Sequence, residues 1–423
     1  MVPLLQITAR IKRLRQLFRD VHEQTGSFSS AAIYTGRLVA RKIPVAVRRV
    51  RHSPQHKAVI SDVQTARSRL EARTPFLAIR VSGGLGDCLV IARFLRDLSA
   101  YTGGIVFDIY ASDPERARWA FGAVDGLRAC HDDLLFDYTH ATYDLALRIS
   151  QFVVVHKGLT QWSRLRAHPR LLHAVTNIIR YRPKIEAFIE RHPFLDGFLA
   201  QKAIYANQTR ATFLHHMAGL TYGGDRLDVA TVGLEQQKHD LEPGRYITVH
   251  NGFDPDFVIM NQRATKCYPH FGTVVGLLKK RWPDLKFVQI GVSTSEPLAE
   301  VDLNLINRTS MREAAGLIAG ALLHIDNEGG LVHLARCLGV ASCVVFGPTP
   351  SAYFGYSGNV NVDPTFCGGC WWINETWMNQ CPRGFATPRC MTEQDPLAVA
   401  AAIHRHLTAR QCEEALPPVT LDA

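Results

Sequence analysis

The stretch PFLAIRVSGGLGDCLVIARFLRDLS, residues 75–99, decides the fold. Residues 76–81 form an apolar run of strand length broken only by Arg80, the composition of a strand buried on both faces of a parallel sheet. Ser82, Gly83 and Gly84 supply a turn, and 86–99 carries apolar residues at helical spacing. Outward from it the rhythm repeats: strand at 105–110, short helix at 114–121, strands at 146–149 and 152–155, then helical stretches over 162–192. Strands alternating with helices imply a parallel sheet covered by helices.

Residues 223–244, with several glycines, charges and a proline, mark a domain boundary. A second alternating series follows, with strands at 246–250, 287–290, 303–306, 322–325 and 343–346 and helices at 271–281, 310–319 and 331–338. Ser310 with Glu313 three positions on has the pattern of a capping box. The expected architecture is α/β with two Rossmann-like lobes: a basic extension over 1–74, an N-terminal lobe over 75–235, and a C-terminal lobe over 240–423 that includes a cysteine-rich insert at 363–392. Sheets of this kind bind ligands at the carboxyl ends of their strands.

Composition narrows the function. The chain has 423 residues, 47% of them hydrophobic, and a formal charge of +10. Residues 1–74 hold 15 Lys plus Arg against 4 Asp plus Glu, whereas the rest has 33 against 34. The body is therefore not a nucleic-acid binder, and any anionic partner belongs to the extension. Within it Ile11, Leu14, Leu17, Phe18 and Val21 fall along one side of a helix with Arg on the other, which suits packing on the body or on a partner, or contact with an anionic membrane surface. The basic start runs into no apolar signal segment, and no window is long enough to span a membrane. The expected location is cytoplasmic, at most peripheral at the inner membrane face.

The chemistry is concentrated at strand ends. In the turn after the first strand, Ser82, Gly83, Gly84 and Gly86 let backbone approach a ligand, and Asp87 sits where a helix dipole favours an ionised carboxylate. On spacing alone Asp87 reads first as a helix-capping charge. A dinucleotide fingerprint fails, because its third glycine would fall on Leu89, and Asp108 lies inside its strand. In the second lobe, His250, Asn251 and Gly252 follow a strand, Lys266 precedes a helix, and Glu296 follows another strand. Glu328, Gly329, Gly330 and His333 form a strand, glycine-turn, helix junction. A helix N-terminus beside a lysine suits a diphosphate without metal.

Taken in this order, these elements resemble the heptosyltransferase family, glycosyltransferase family 9. The resemblance runs over about 76–350 and rests on the Ser82 to Asp87 turn, Lys266 to Pro269, the acidic-glycine block at Glu328 to Ala335, and Phe346-Gly347-Pro348-Thr349. It implies two lobes of GT-B type facing a cleft and inverting transfer from a nucleotide sugar, often ADP-heptose, with no catalytic metal. By that analogy Asp87 is the base on the acceptor hydroxyl and Lys266 neutralises the departing diphosphate. Glu296 holds the ribose, and Gly329, Gly330 and His333 line the diphosphate. The family usually has Asp where this sequence has Glu328.

Cys367, Cys370, Cys381 and Cys390 follow the spacing C-x2-C-x10-C-x8-C, the pattern of a four-thiolate knuckle for one structural zinc or iron; two disulfides are the alternative. An iron-bound cysteine finger with longer later spacings occurs in the related autotransporter heptosyltransferases. Trp371, Trp372 and Trp377 in the same insert suit packing or an aromatic face for an acceptor. The sequence thus leads to a glycosyltransferase moving a sugar, heptose from ADP-heptose by the resemblance, to a bacterial surface saccharide of the lipopolysaccharide type. The alternatives are a protein acceptor or a catalytically silent nucleotide-sugar-binding scaffold.

Overall fold

The computed structural model describes residues 55–71, 74–255, 257 and 263–415, with scattered positions between 14 and 39. It divides into two compact units, one made of residues 1–229, 255–264 and 371–386, the other of 230–254, 265–370 and 387–423.

The first unit is built on a five-stranded sheet of order β3-β2-β1-β4-β5. β1 (Phe76–Val81) lies between β2 (Val106–Ala111) and β4 (Leu145–Ile149), parallel to both; β3 (Leu127–Asp132) extends the parallel part and β5 (Val153–Val155) closes the edge antiparallel. Strand order reverses between β1 and β4, so their carboxyl ends form the topological switch point of this sheet. Helix α1 (Gln55–Arg69) precedes β1, α2 (Leu85–Thr102) leaves it through the glycine turn, and α3 (Pro114–Phe121) follows β2. α2 buries Leu89, Val90, Ile91, Phe94, Leu95 and Leu98. α3 starts on Asp113, whose side chain accepts from Arg116 N, with Pro114 in the first turn, a favoured place for proline.

The second unit has a six-stranded sheet of order β11-β10-β9-β6-β7-β8. Its strands are β6 (Tyr246–Val249), β7 (Lys286–Gln289), β8 (Leu303–Asn304), β9 (Leu323–Asn327), β10 (Ser342–Val345) and β11 (Val360–Val362), every pairing parallel. Here the order reverses between β6 and β9. Helix α4 (Phe271–Arg281) and α5 (Pro396–Ala415) pack with the sheet around Ile247, Val249, Phe271, Val275, Phe287, Ile325 and Ile403. Between them in the chain run α6 (Met311–Gly320) and α7 (Gly330–Leu338). The Ser310 capping box forms: Ser310 Oγ accepts from Glu313 N at 3.3 Å and Glu313 Oε2 from Ser310 N at 2.8 Å. α5 takes the C-terminal end of the chain back onto this core (α5 is absent from the sequence reading, as are β3 and β11).

Two expectations change. The residues before the first strand do not form a separate extension throughout: Val63 of α1 is fully buried with Phe76, Ala78, Tyr143 and Ala146. Arg67 of α1 pairs with Asp144 at 3.1 Å, while Arg128 reaches Asp62 of α1 at 2.5 Å. Earlier in the chain Val21 is buried, and half-buried Phe18 packs edge-on against exposed Phe28 at 5.1 Å. Residues 11–13 and the 41–51 basic cluster lie outside the described residues. The insert also divides, because 371–386 groups with the first unit and the rest with the second. Among the described residues no helix is long and apolar enough to cross a membrane.

Candidate functional site

In the first unit the switch point assembles a carboxylate site. Ser82 N continues the ladder to Ile149 O at 3.1 Å, and the chain then turns through Gly83 at φ +128°. A Cβ on Gly83 would lie 2.2 Å from Asp87 Oδ2, so only glycine leaves room for the carboxylate to fold back and accept Gly84 N at 3.1 Å. Its other oxygen, Oδ1, accepts from Gln151 Nε2 at 2.9 Å and from Arg210 Nη2 at 2.8 Å. Arg210 also donates to Ser150 O at 3.1 Å. The Arg210 side chain is 2% exposed and that of Asp87 24%. Asp87 is therefore both the helix-capping charge and an open carboxylate: three of its roughly four acceptor positions are taken, and the group still meets solvent.

Asp196 lies in the same charge field. Burial pushes its carboxyl above the usual range and the negative Asp87 adds to this, against the hydrogen bond from His192 at 3.0 Å. Asp108, considered from sequence as a ribose ligand, is instead a buried structural hub. It takes hydrogen bonds from Arg128 and from Tyr143, which outweigh the upward push of burial and hold it below the usual carboxylate range. Cys88, next to Asp87, has its thiol pushed up to about 12 by burial and that charge, which removes it as a nucleophile.

In the second unit the junctions after β6, β7 and β9 bring the sequence candidates into two groups. Lys266 Nζ donates to Glu328 O at 2.9 Å and lies 3.9 Å from its carboxylate. Gly329 and Gly330 then open α7, and a Cβ on Gly329 would reach within 3.9 Å of the Lys266 ammonium. This puts a cation beside a helix N-terminus, where backbone N–H groups and the dipole already favour an anion. His333, in the first turn of α7, bonds through Nδ1 to Tyr356 OH at 2.5 Å, and its Nε2 is 3.9 Å from Glu328 Oε1.

The other group contains Asn251, Gly252 and Glu296. Asn251 Nδ2 donates to Glu296 O at 2.8 Å; Gln289 Nε2 donates to that carbonyl at 2.8 Å and to Asn251 Oδ1 at 3.1 Å. The backbone at Glu296 is thus pinned by two buried amides. Asn327 ties the groups together, accepting Tyr268 N at 2.7 Å and reaching Gly252 O at 3.5 Å. Arg210, Gln151, Gln289 and Tyr356 are the members that sequence reading did not find.

Among the described residues, which include all ten cysteines, no disulfide forms, and no three or more His, Cys, Asp or Glu side chains are placed to hold a metal ion. Cys390 is buried in the apolar core with Met391, Val399 and Ile403, and Cys367 packs against the same core. A Cβ on Gly347 would meet Met391 Sδ at 2.1 Å and Cys390 Sγ at 3.4 Å. Cys381 belongs to the first unit and Cys367, Cys370 and Cys390 to the second. The zinc or iron knuckle expected of these four cysteines is thus not shown among the described residues. The insert's tryptophans pack: Trp371 and Trp377 are buried, and Trp372 lies 6.0 Å from both Phe194 and Trp377.

Residues 279–366 match the model of Glycosyltransferase family 9 (heptosyltransferase). No curated protein matches the chain. Among solved structures it is similar to the glycosyltransferase family 9 protein from Veillonella parvula, at 13% identity and TM-score 0.50 over 81% of this chain and 99% of that one. It is also similar to TibC of enterotoxigenic E. coli, a dodecameric iron-containing heptosyltransferase in complex with ADP-D-β-D-heptose, at 13% identity and TM-score 0.50 over 81% of this chain and 79% of that one. The chain thus has the fold of these enzymes and, over 279–366, the sequence signature of their family, and it is a glycosyltransferase.

Proposed function

We propose that the protein transfers a sugar, heptose from ADP-heptose, with inversion to a bacterial surface saccharide of the lipopolysaccharide type. The observation that carries the reading is the Lys266 ammonium held at the start of α7. As the bond from sugar to diphosphate breaks, charge develops on the departing phosphate. Lys266 and the α7 amides are fixed donors for that charge, and fixed donors need no reorganisation during the reaction. The carboxylate of Asp87 takes the proton from the acceptor hydroxyl, and Arg210, Gln151 and Gly84 N fix its direction. Glu296 holds the ribose, and Gly329, Gly330 and His333 line the diphosphate. The surplus charge of residues 1–74 supports contact with an anionic membrane surface, which vesicle binding in low salt measures.

The test is a panel of nucleotide sugars that includes ADP-heptose, scored for binding and for release of the nucleotide in the presence of acceptor. Asp87→Ala should keep donor binding and lose roughly 100-fold or more in turnover, the scale of a lost general base. Lys266→Ala should weaken both. Donor binding without nucleotide release by the wild-type protein would reject transfer and leave a binding scaffold.

A further inference from the structure

The described positions of the first basic segment fall on two helical stretches, one within 14–23 and one within 28–39. Gly26 follows the first: at φ +62° it takes the left-handed conformation common just past a helix end, and its N–H bonds to His22 O at 2.8 Å. Ser27 starts the second, its carbonyl accepting from Ala31 N at 3.1 Å. The two stretches meet at Phe28, whose ring takes Phe18 edge-on at 5.1 Å and lies 6.4 Å from that of His22. Val21 and Ala31 are fully buried.

Periodicity in the sequence puts the apolar face on the first stretch, but there Val21 is buried and Phe18 half-buried. The open apolar positions lie on the second. Phe28 is 69% exposed and Val39 41%, and Ala32 is exposed with them. With 3.6 residues to the turn these three fall within about 40° of one another, beside the buried Ala31. Ile33 is also exposed, but it points about 140° away from Phe28. On the first stretch Arg15 and Arg19 are both exposed and, four positions apart, share one side. Glu23 is the one acidic residue among the described positions from 14 to 39. A single exposed apolar side chain is ordinary; an aligned set of them beside arginines is a surface with two chemistries.

Charge decides what covers it. Residues 1–74 hold 15 Lys plus Arg against 4 Asp plus Glu, whereas the rest of the chain is close to neutral, so the occupant of this segment is anionic. It must also take apolar side chains out of water. A nucleic acid would match the arginines and leave Phe28 and Val39 wet. An anionic bilayer meets both needs, with phosphates at the surface and hydrocarbon directly beneath. A helix lying in that interface sinks its apolar side by about 5–10 Å, within reach of a Phe or Val side chain.

We propose that the 28–39 stretch lies on an anionic membrane surface, with Phe28, Ala32 and Val39 at the acyl boundary and Arg15 and Arg19 against the phosphates. This rests on the membrane reading of the basic segment and names its inserting face. The experiment is cosedimentation of the full chain with phosphatidylcholine vesicles, with and without about a third phosphatidylglycerol, at about 50 mM and about 500 mM salt. Phe28→Ser combined with Val39→Ser should weaken binding to the anionic vesicles about tenfold at either salt, because apolar burial is not screened. Arg15→Gln and Arg19→Gln should each cost about fivefold at low salt and less at high salt. Ile33→Ser, exposed but on another side of the helix, should bind as wild type. Phe28→Trp, a ring enriched at membrane interfaces, should bind at least as tightly as wild type, and it keeps the test valid if the double variant fails to fold. Weaker binding by Phe28→Trp, or a loss in Ile33→Ser as large as in the double variant, would overturn the face. So would a wild-type dimer in light scattering that the double variant turns into monomer, since a second copy would then be the cover. Anionic-vesicle binding that salt and the arginine variants weaken but the double variant does not would reject this inference alone; a wild type that binds no anionic vesicle would reject the membrane reading with it.

Discussion

Replacing Arg210 with Met keeps the bulk of a side chain that is almost wholly buried and removes its charge. Among the bonds lost are one to Asp87 Oδ1 and one to Ser150 O. A hydrogen bond to a charged group contributes about 1.5–3 kcal/mol, and a buried carbonyl left unsatisfied costs about 1–3 kcal/mol. Asp87 is partly exposed and keeps Gln151 and Gly84 N, so the first figure applies at its low end. Together they predict a loss of about 3 kcal/mol, which for a unit of this size is a fall of about 6–12 °C in melting temperature. Because Arg210 also aims the carboxylate, turnover should drop about tenfold with the KM for nucleotide sugar unchanged. Arg210→Lys should recover part of the stability and little of the turnover, since a single ammonium cannot reproduce the angle of the guanidinium fork. A double-mutant cycle with Asp87→Ala separates the ion pair from the Ser150 bond, and it should give a coupling of about 1 kcal/mol or more. A melting temperature within about 2 °C of wild type together with unchanged turnover would refute both parts of the reasoning.

Gly83→Ala should cost about 1–3 kcal/mol through its left-handed backbone and the clash with Asp87, and it should cut turnover while diphosphate affinity holds; kinetics alongside calorimetry decides. Removing residues 1–70 should destabilise the first unit by at least about 2 kcal/mol, because Val63 leaves the core, so a truncated protein that melts with the full chain would show that α1 is dispensable. His156 is held neutral in the fold, pushed down from 6.5 to about 4 by burial and the neighbouring His140. The unfolded chain therefore binds the extra proton first, stability is complete above pH 6.5, and it falls as the pH drops towards 4. His156→Phe should flatten that part of the melting-temperature profile, and an unchanged slope would assign the acid sensitivity to other groups.

What could be read from the sequence is what lies close together along it. Ser82 to Asp87, His250 to Gly252 and Glu328 to His333 each sit within one strand-end junction, and strand ends are where such sheets place ligands. Arg210 and Gln151 could not be read, since they are 123 and 64 residues from Asp87 and no local pattern marks them. The β3 strand, LRACHD, escaped because only one of its six residues is buried, so neither an apolar run nor clean alternation marks it. The cysteine spacing fits the arithmetic of a metal knuckle, but spacing carries no information on burial, and the knuckle is not shown among the described residues. Cys390 belongs to the same core as Met391, Val399 and Ile403, where a thiol packs as a small apolar group.

The first unit is discontinuous, and this sets a timetable for synthesis. Phe194, Gly197 and Trp377 belong to one packed region, in which a Cβ on Gly197 would lie 2.0 Å from Trp371 O and Phe257 lies 6.4 Å from Trp377. The ribosome delivers residue 197 long before residue 371, and at about 5–20 residues per second the nascent chain carries the Gly197 surface uncovered for on the order of ten seconds or more. Completion of the first unit is thereby deferred until residues 371–386 have been made. A chain cut short anywhere before 371 lacks that cover, so an incomplete transferase is born with an exposed site for chaperones and proteases to find.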